Sequence, residues 1–401
     1  MVSVCFYFQV HQPYRLRNYS VFDIGHNSNY FDDARNKEIL LKVAKKCYIP
    51  TNKIILQLIN KTGGRFKVSY SITGIALEQF EQFCPDVIDS FRALVDSGNV
   101  ELLSETYHHS LAFLYSRKEF KKQVDMHNKK IRELFGYKPK VFRNTELIYN
   151  NELARFIEGM GYNAVLAEGA DHVLGWRSPN FVYKPINGKI RLLLKNYRLS
   201  DDIAFRFSDR NWSEWPLTAP KFASWINSIN GSVVNLFMDY ETFGEHQWDD
   251  KGIFDFLLHL PNEILNNKDN DFVTPSEIVR RYKPVGELDV PNTISWADIE
   301  RDISAWLGNK MQHSAVSAIY ALENEIINSN NKELIEDWRK LQISDHFYYM
   351  CTKWFNDGDV HKYFNPYESP YKAFISFMNA LNDLRFRLEK EKKENFIYVA
   401  N

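Results

Sequence analysis

The sequence has few cysteines, no basic run and no long apolar run, and each absence excludes a class of protein. The four cysteines are far apart, with no CxxC pair, which argues against a disulfide framework and a cysteine zinc site. The net charge of −1, with no basic cluster, leaves no electrostatic footprint for nucleic acid. No segment approaches the roughly 18 apolar residues of a membrane span, and the N-terminus lacks a secretory signal. We predict a cytoplasmic protein with buried free thiols that binds neither nucleic acid nor membranes.

Aromatic residues, by contrast, are abundant. The chain has 29 Phe, 22 Tyr and 9 Trp, which together make up 15% of the sequence. Most of them must lie in the core, but aromatic rings also stack on the apolar faces of sugars, so the excess is compatible with a carbohydrate groove. A length of 401 residues predicts one large domain and a smaller one.

Short β-like runs alternate with amphipathic helical segments in the first part of the chain. Seven such runs occupy residues 2–10, 66–72, 100–103, 140–142, 164–167, 190–194 and 233–238. The spacing predicts helices between them, including residues 76–97, 118–135 and 151–160. Because strands that alternate with helices pair in parallel through right-handed crossovers, we predict an α/β fold with a seven-stranded (β/α) barrel over residues 1–265.

The pattern changes beyond residue 265. Residues 266–293 contain a polar run, two prolines and a glycine, and we predict a linker region there. From residue 294 onward the apolar spacing is helical in segments 297–307, 314–329, 332–350 and 370–392. We therefore predict that residues 294–401 form a C-terminal helical bundle, which completes the active-site cleft.

Two of the apolar runs end in carboxylates, which burial in a core does not explain. Glu146 follows VFRNT at residues 141–145, and Asp239 follows VVNLFM at residues 233–238. Active sites of barrels and open parallel sheets lie at the carboxyl ends of their strands. Two acids from distant strands could form the pair that cleaves a glycosidic bond. The alternatives are an ordinary surface ion pair for Glu146 and a solvated strand end for Asp239.

Other polar residues also follow predicted strands. His11 ends the first strand, and Glu105 and His109 follow the third, where they could bind substrate hydroxyls, bind a metal or be structural. Arg143 would favour an ionised Glu146. Glu241 shares a strand face with Asp239, so each acid would raise the pKa of the other, as suits a general acid.

A motif in the C-terminal region carries acids and tryptophan. Residues 295–307 (SWADIERDISAWL) are predicted to be a helix that begins after Ser295, with Asp298, Asp302 and Trp306 on one stripe. The stripe is interpreted as a sugar platform or as an exposed acidic face. Asp345, in a later helical run, could face the barrel mouth.

Five segments, in this order, make the sequence resemble glycoside hydrolase family 57, and its α-amylase-like members in particular. They are residues 8–13 (FQVHQP), 98–109 (GNVELLSETYHH), 142–146 (FRNTE), 238–244 (MDYETFG) and 295–307. The resemblance implies a seven-stranded β/α barrel followed by helices. It also implies a retaining mechanism on α-linked glucans of the starch, glycogen or maltooligosaccharide type.

The resemblance also implies roles for individual residues. Glu146 matches the nucleophile and Asp239 the general acid/base, with carboxyl groups about 5 Å apart. His11 matches a substrate-binding histidine, and Trp306 and Asp345 match helical-region residues that close over the substrate. Glu105, His109, Arg143 and Glu241 complete the candidate substrate-binding set. No cofactor and no metal is expected.

Three alternatives remain open. The first is transglycosylation, by a 4-α-glucanotransferase or a branching enzyme, although the short chain favours hydrolysis. The second is a metal-dependent polysaccharide deacetylase, against which the eleven histidines include no pair four residues apart. The third is a non-catalytic glucan-binding homologue, which would normally have lost one of the two acids. The sequence leaves the oligomeric state open.

Overall fold

A computed structural model describes residues 2–353 and 365–400 of the chain. The strands of the described part are β1 Ser3–Val10, β2 Val68–Ile72, β3 Val100–Leu102, β4 Val141–Arg143, β5 Ala164–Glu168, β6 Lys184–Pro185, β7 Arg191–Lys195, β8 Val233–Asp239, β9 Asp271–Phe272 and β10 Glu287–Leu288. Each of the seven predicted strands is present, within two residues at either end. The three strands that the sequence pattern missed have two residues each, too few to show a period.

Helices connect the strands and form all the regular elements that follow β10 in the described residues. They are α1 Asp33–Val43, α2 Ile49–Lys61, α3 Gly74–Phe83, α4 Pro85–Asp96, α5 Ala112–Tyr115, α6 Arg117–Phe135, α7 Asn151–Gly159, α8 Asp171–Leu174, α9 Tyr197–Ala204, α10 Ala219–Asn227, α11 Ile253–Leu265, α12 Pro275–Arg281, α13 Ser304–Leu307, α14 Lys310–Ala321, α15 Glu323–Ser329, α16 Lys332–Lys340, α17 Ser344–Tyr348 and α18 Pro370–Ala400. Within this part of the chain, each helix is too short or too polar to cross a membrane.

Four predicted helical segments differ in the structure. Segment 314–329 is divided between α14 and α15, and segment 332–350 is divided between α16 and α17. The predicted helix 76–97 is divided into α3 and α4 at Cys84, because Pro85 lacks an N–H and disfavours helical geometry in the residue before it. The prediction of a helix over 297–307 is wrong except for its last turn, α13. Asp298 and Arg301 have positive φ angles of 55° and 53°, which no α-helix accommodates. The stripe of Asp298, Asp302 and Trp306 therefore does not exist as a helix face.

The strands form two main parallel sheets. One has the order β3-β2-β1-β8, with β9 beside the first residues of β1, and the other has the order β4-β5-β7. Strands β6 and β10 form a separate pair. The prediction of an α/β fold with parallel pairing is confirmed, but continuous ladders do not join the seven strands into one ring.

Individual hydrogen bonds connect the two main sheets at both pairs of edge strands, β3 with β4 and β7 with β8. The main-chain N–H of Ser104, after β3, donates to the oxygen of Val141 at 3.0 Å, and that of Arg143 donates to the oxygen of Ser104 at 2.9 Å. At the other end, the N–H of Asn196, after β7, donates to the oxygen of Asn235 in β8 at 2.9 Å. The edges of the two sheets are thus linked through single residues.

The two faces of the main sheets pack into different cores. In β1, Phe6 and Phe8 pack with the surrounding helices, whereas Cys5 and Tyr7 point to the opposite face. That opposite face holds side chains from both sheets in one cluster, which we call the inner core: Cys5, Tyr7, Leu103, Val141, Leu147, Ala164, Leu166, Val182, Leu193, Val233, Phe237, Val273 and Ile278. The period of two along each strand separates these layers.

The chain is divided into two compact units, each made of several segments. The strand unit comprises Met1–Gln12, Ile39–Thr106 and Val124–Trp296, and the helical unit comprises Pro13–Glu38, Tyr107–Gln123 and Ala297–Asn401. The predicted linker 266–293 contains β9, α12 and β10. The predicted domain limits stay a prediction, and part of the domain 294–401 (residues 354–364 and 401) lies outside the described residues.

Candidate active site

The two predicted catalytic acids are the half-buried residues that end two buried runs. Glu146 lies in the short 3-10 turn Thr145–Leu147 after β4, and residues 141–145 before it are buried. Asp239 is the last residue of β8, after six buried residues. Its side chain lies on the same strand face as Val233 and Phe237 of the inner core. Both carboxyl groups are therefore at the carboxyl ends of parallel strands, as the sequence predicted.

Glu146 is held by a residue that the sequence analysis did not select. Its φ and ψ angles of 55° and 28° are left-handed, a conformation that costs a non-glycine residue about 1–2 kcal/mol. Trp296 donates its indole Nε1–H to Oε2 of Glu146 at 2.6 Å. Its main-chain N–H donates to the main-chain oxygen of Glu146 at 3.2 Å. The signal for Trp296 in the sequence was its position near the start of the motif at residues 295–307.

Arg143, at the end of β4, is completely buried. Its guanidinium carbon lies 4.9 Å from the centroid of the Trp296 ring. Among the described residues, none of its three side-chain nitrogens has a hydrogen-bond partner. The guanidinium therefore contacts the indole that binds Glu146, and it adds a buried positive charge near that acid.

A second cation, Lys195, also lies beside Trp296. Its Nζ is 5.3 Å from the ring centroid. It forms buried ion pairs with Asp201 at 2.9 Å and with Glu168, at the end of β5, at 3.7 Å. The ends of β4 and β7 thus each place a cation beside one indole, and the end of β5 contributes an acid that pairs with one of these cations.

Glu241 is buried next to Asp239, in the 3-10 turn Tyr240–Thr242. The hydroxyl of Tyr48 donates to its carboxyl group, and the main-chain N–H of His11 also donates to it. Burial, and then the charge of Asp239, raise the pKa of Glu241 to about 8. The structure thus brings together three residues that the sequence predicted: His11, Asp239 and Glu241.

The turn after Glu241 depends on a glycine. Gly244 has a φ of 105°, and a Cβ atom there would clash with the main-chain oxygen of Lys46. A side chain at this position would force the turn away from Lys46, and the acids that precede it would move.

His11 is oriented by a helix cap. Its Nδ1 lies 3.1 Å from the hydroxyl oxygen of Thr73. The same hydroxyl oxygen accepts from the N–H of Ala76 and so caps the start of α3. The imidazole ring is therefore fixed by a rigid element.

Glu105 is buried and held by Gln9 of β1. The side-chain amide of Gln9 donates to the two carboxyl oxygens of Glu105 at 3.1 and 3.4 Å. The amide oxygen accepts from Tyr7 at 2.8 Å and from Ser71 at 3.0 Å, which fixes the orientation of the amide. Gln9 is paired with Asp239 in the register of β1 and β8, so Glu105 joins the same group. Polar residues at alternate positions of an apolar strand were the signal that could have found Gln9 and Tyr7.

The remaining predicted residues lie in the helical unit. His109 has a φ of 50°, and its main-chain oxygen accepts from the N–H of Ser344, next to Asp345 in α17. Trp306, in α13, is 2% exposed, and its ring lies 6.2 Å from that of Tyr348, also in α17. The structure therefore brings His109, Asp345 and Trp306 to neighbouring elements. Their roles in substrate binding stay predictions.

Metal-ligating groups are a separate question. In the part of the chain that the structure describes, no three His, Cys, Asp or Glu side chains are grouped so that they could hold a metal ion.

Residues 5–291 match the sequence profile of glycosyl hydrolase family 57. The chain belongs to this family. This family 57 glycosidase is 47% identical, over 96% of its length and 85% of the relative, to a protein of Methanocaldococcus jannaschii that carries the provisional name alpha-amylase.

Two solved structures have a similar fold. A family 57 branching enzyme from Thermococcus kodakaraensis matches 90% of this chain and 87% of its own, with a TM-score of 0.67 and 16% identity. The 4-alpha-glucanotransferase from Thermococcus litoralis matches 86% of this chain, with a TM-score of 0.65 and 17% identity. The family 57 chain spans only 56% of that second enzyme.

Proposed function

We propose that this family 57 glycosidase hydrolyses α-1,4-linked glucans, of the starch, glycogen or maltooligosaccharide type, with retention of configuration. The observation that carries the proposal is the pair of half-buried acids, Glu146 and Asp239, at the carboxyl ends of β4 and β8. The provisional name of the Methanocaldococcus jannaschii relative, alpha-amylase, supports the substrate class.

In this proposal Glu146 is the nucleophile and Asp239 is the general acid/base. Glu146 attacks the anomeric carbon while Asp239 protonates the departing glycosidic oxygen, and Asp239 then activates the water that releases the sugar. The buried charge of Arg143 supports an ionised Glu146.

We also infer that seven strands, β1 to β5 with β7 and β8, close into one barrel. The single-residue hydrogen bonds between the sheet edges support closure, as does the inner core that both sheets share. A barrel would direct the ends of β4 and β8 to one mouth, where retention needs two carboxyl groups only about 5 Å apart.

The roles of the acids are tested by Glu146→Gln and Asp239→Asn. Each variant should lower kcat on maltooligosaccharides by about three orders of magnitude or more, because each removes a group that reacts, while the melting temperature changes little. Asp249→Asn, an exposed acid after β8, is the matched control and should keep wild-type activity. Near-normal turnover in both site variants would refute the assignment.

Product analysis tests the reaction itself. NMR of the first product should show the α-anomer, because two displacements restore the configuration. A β-anomer would rule out retention. A ladder of products longer than the substrate would show that the enzyme transfers glucans and does not mainly hydrolyse them, since the same intermediate would then react with a sugar hydroxyl.

A further inference from the structure

The nucleophile proposed above has a partner far away in the chain. The indole N–H of Trp296 donates to Oε2 of Glu146 at 2.6 Å, and the main-chain N–H of Trp296 holds the oxygen of Glu146 at 3.2 Å. Together they fix the side chain and the left-handed backbone of Glu146, a conformation that persists only where the surroundings hold it. Because the indole binds Oε2, the attacking oxygen would be Oε1.

The indole is itself held by two cations. The Arg143 guanidinium carbon lies 4.9 Å from the ring centroid, and Nζ of Lys195 lies 5.3 Å from it. Lys195 is anchored in turn by Asp201 at 2.9 Å. A cation beside an aromatic ring is attracted by its π electrons. It also draws electron density from the ring, which makes the N–H a stronger donor.

We propose that Trp296 is a positioning residue for Glu146, and that its indole N–H promotes the second step of catalysis. This inference rests on the proposed role of Glu146. In the first step, Oε1 bonds to the anomeric carbon, the glycosidic bond breaks, and the leaving oxygen takes the proton of Asp239. In the second step, Asp239 takes a proton from water, the water oxygen bonds to the anomeric carbon, and the electron pair of the ester bond returns to Glu146.

The charge on Oε2 changes in opposite directions in the two steps. In the free enzyme, Oε2 belongs to a carboxylate, and in the glycosyl-enzyme it is the carbonyl oxygen of a neutral ester. A hydrogen bond to a charged acceptor is stronger than one to a neutral acceptor. The N–H of Trp296 therefore assists the departure of Glu146 in the second step. It also favours the ionised form of Glu146 in the free enzyme.

The test is Trp296→Phe, which keeps an aromatic ring beside the cations and removes the N–H. An aryl α-maltooligoside is the substrate, because its phenolate leaves readily and the second step then limits turnover. We expect kcat to fall about 10- to 100-fold, the value of a charge-assisted hydrogen bond. KM should fall together with kcat, because the glycosyl-enzyme intermediate accumulates. For the same reason, both wild type and Trp296→Phe should release a burst of phenol. The acidic limb of kcat/KM should move up by about 1 pH unit.

Trp225→Phe is the matched control. Trp225 lies in α10, and Lys221 lies 5.8 Å from its ring, so the substitution also removes an indole N–H beside a cation. This variant should keep the wild-type KM, burst and pH profile. If Trp296→Phe behaves like this control, the inference is wrong.

Labelling separates this inference from the proposed function. A 5-fluoroglucosyl fluoride should trap the wild-type intermediate, and peptide mapping should place the sugar on Glu146. A label on Glu146 without any change in Trp296→Phe would overturn the inference alone. A label on another residue would overturn the proposed function as well.

A measurement without a tryptophan substitution covers the case in which Trp296→Phe does not fold. In ¹⁵N-tryptophan spectra, one indole N–H resonance should move upfield from wild type to Glu146→Gln, because an amide oxygen accepts more weakly than a carboxylate. If no indole resonance moves, the hydrogen bond is absent and the inference is wrong.

Discussion

Two neighbouring acids show that small differences in position decide the charge of a single residue. Asp239 is half-buried at the end of β8, whereas Glu241, two residues later, is 6% exposed. Loss of water around Glu241 is the main cause of its raised pKa, and the charge of Asp239 comes second. The sequence predicted the second cause from a strand face shared by the two residues, but that face is wrong: β8 ends at Asp239, and Glu241 lies in the 3-10 turn Tyr240–Thr242 that follows. The sequence could not predict the burial.

Glu241→Gln should therefore change how stability depends on pH. The pKa of Glu241 is about 8 in the folded protein, against 4.5 for the ordinary side chain. The stability that the neutral group contributes is complete below pH 4.5 and is lost as the pH rises to about 8, since the unfolded chain releases the proton first. Glutamine stays neutral and still accepts from Tyr48. Between pH 4.5 and about pH 8, the free energy of unfolding of the variant should therefore rise relative to that of wild type by up to about 1.4 kcal/mol per pH unit.

Calorimetry or urea unfolding at several pH values measures this gain. Glu389→Gln, at an exposed position of α18, is the matched control and should follow wild type at every pH. A difference between Glu241→Gln and wild type that is the same at pH 5 and pH 8 would contradict the prediction.

At the scale of elements, strands were predicted well and the segment after residue 296 was not. Each long strand carries a local apolar run, so the pattern is visible in the sequence. In the segment 297–303, contacts with distant residues override the helical spacing: Lys353 pairs with Asp298 at 3.4 Å and with Glu300 at 3.1 Å. Asp302 accepts from the N–H of Ser304 and so begins the helix only there.

The ion pairs at the ends of β5 and β7 give a prediction at this scale. Lys195→Met removes the buried cation that pairs with Glu168 and Asp201, which should lower the free energy of unfolding by about 3–5 kcal/mol. Lys129→Met breaks the exposed Lys129–Glu133 pair in α6 and should cost only about 0.5 kcal/mol. Denaturant unfolding compares the two, and similar losses would contradict the prediction.

At the scale of the whole molecule, burial of ionisable groups shapes the pH range of stability. Burial lowers the pKa of four histidines, namely His108, His127, His246 and His346. For His246 and His346 the value falls to about 4. These histidines occur in both compact units. Each unit therefore carries groups that resist protonation while the chain is folded.

We expect the melting temperature to fall steeply between about pH 6.5 and pH 4. A group with a lowered pKa contributes stability that is present above its unfolded value of about 6.5 and is lost as the pH falls, because the unfolded chain takes up the proton first. Calorimetry across this range measures the fall. His346→Gln should make it shallower, whereas His313→Gln, at an exposed position of α14, should not. Equal slopes in all three proteins would contradict the prediction.

Some residues of the candidate site were predicted from the local sequence, and others were not. Glu146, Asp239 and Glu241 were predicted because acids that end apolar runs are unusual in a packed core. Gln9 was not selected, because one polar residue in a strand has many explanations until Glu105 is seen beside it. Trp296 was not selected either, since its partner lies 150 residues away.

The amino-acid sequence alone determined the α/β class, the seven main strands and the two acids at strand ends, because each depends on neighbours within a few residues. Only the tertiary structure decided which of these residues work together. It joined the indole of Trp296 to Glu146, placed two cations beside that indole and buried Glu241 against Tyr48. These choices depend on contacts between distant segments and on the loss of water around charged groups, neither of which has a local pattern in the chain.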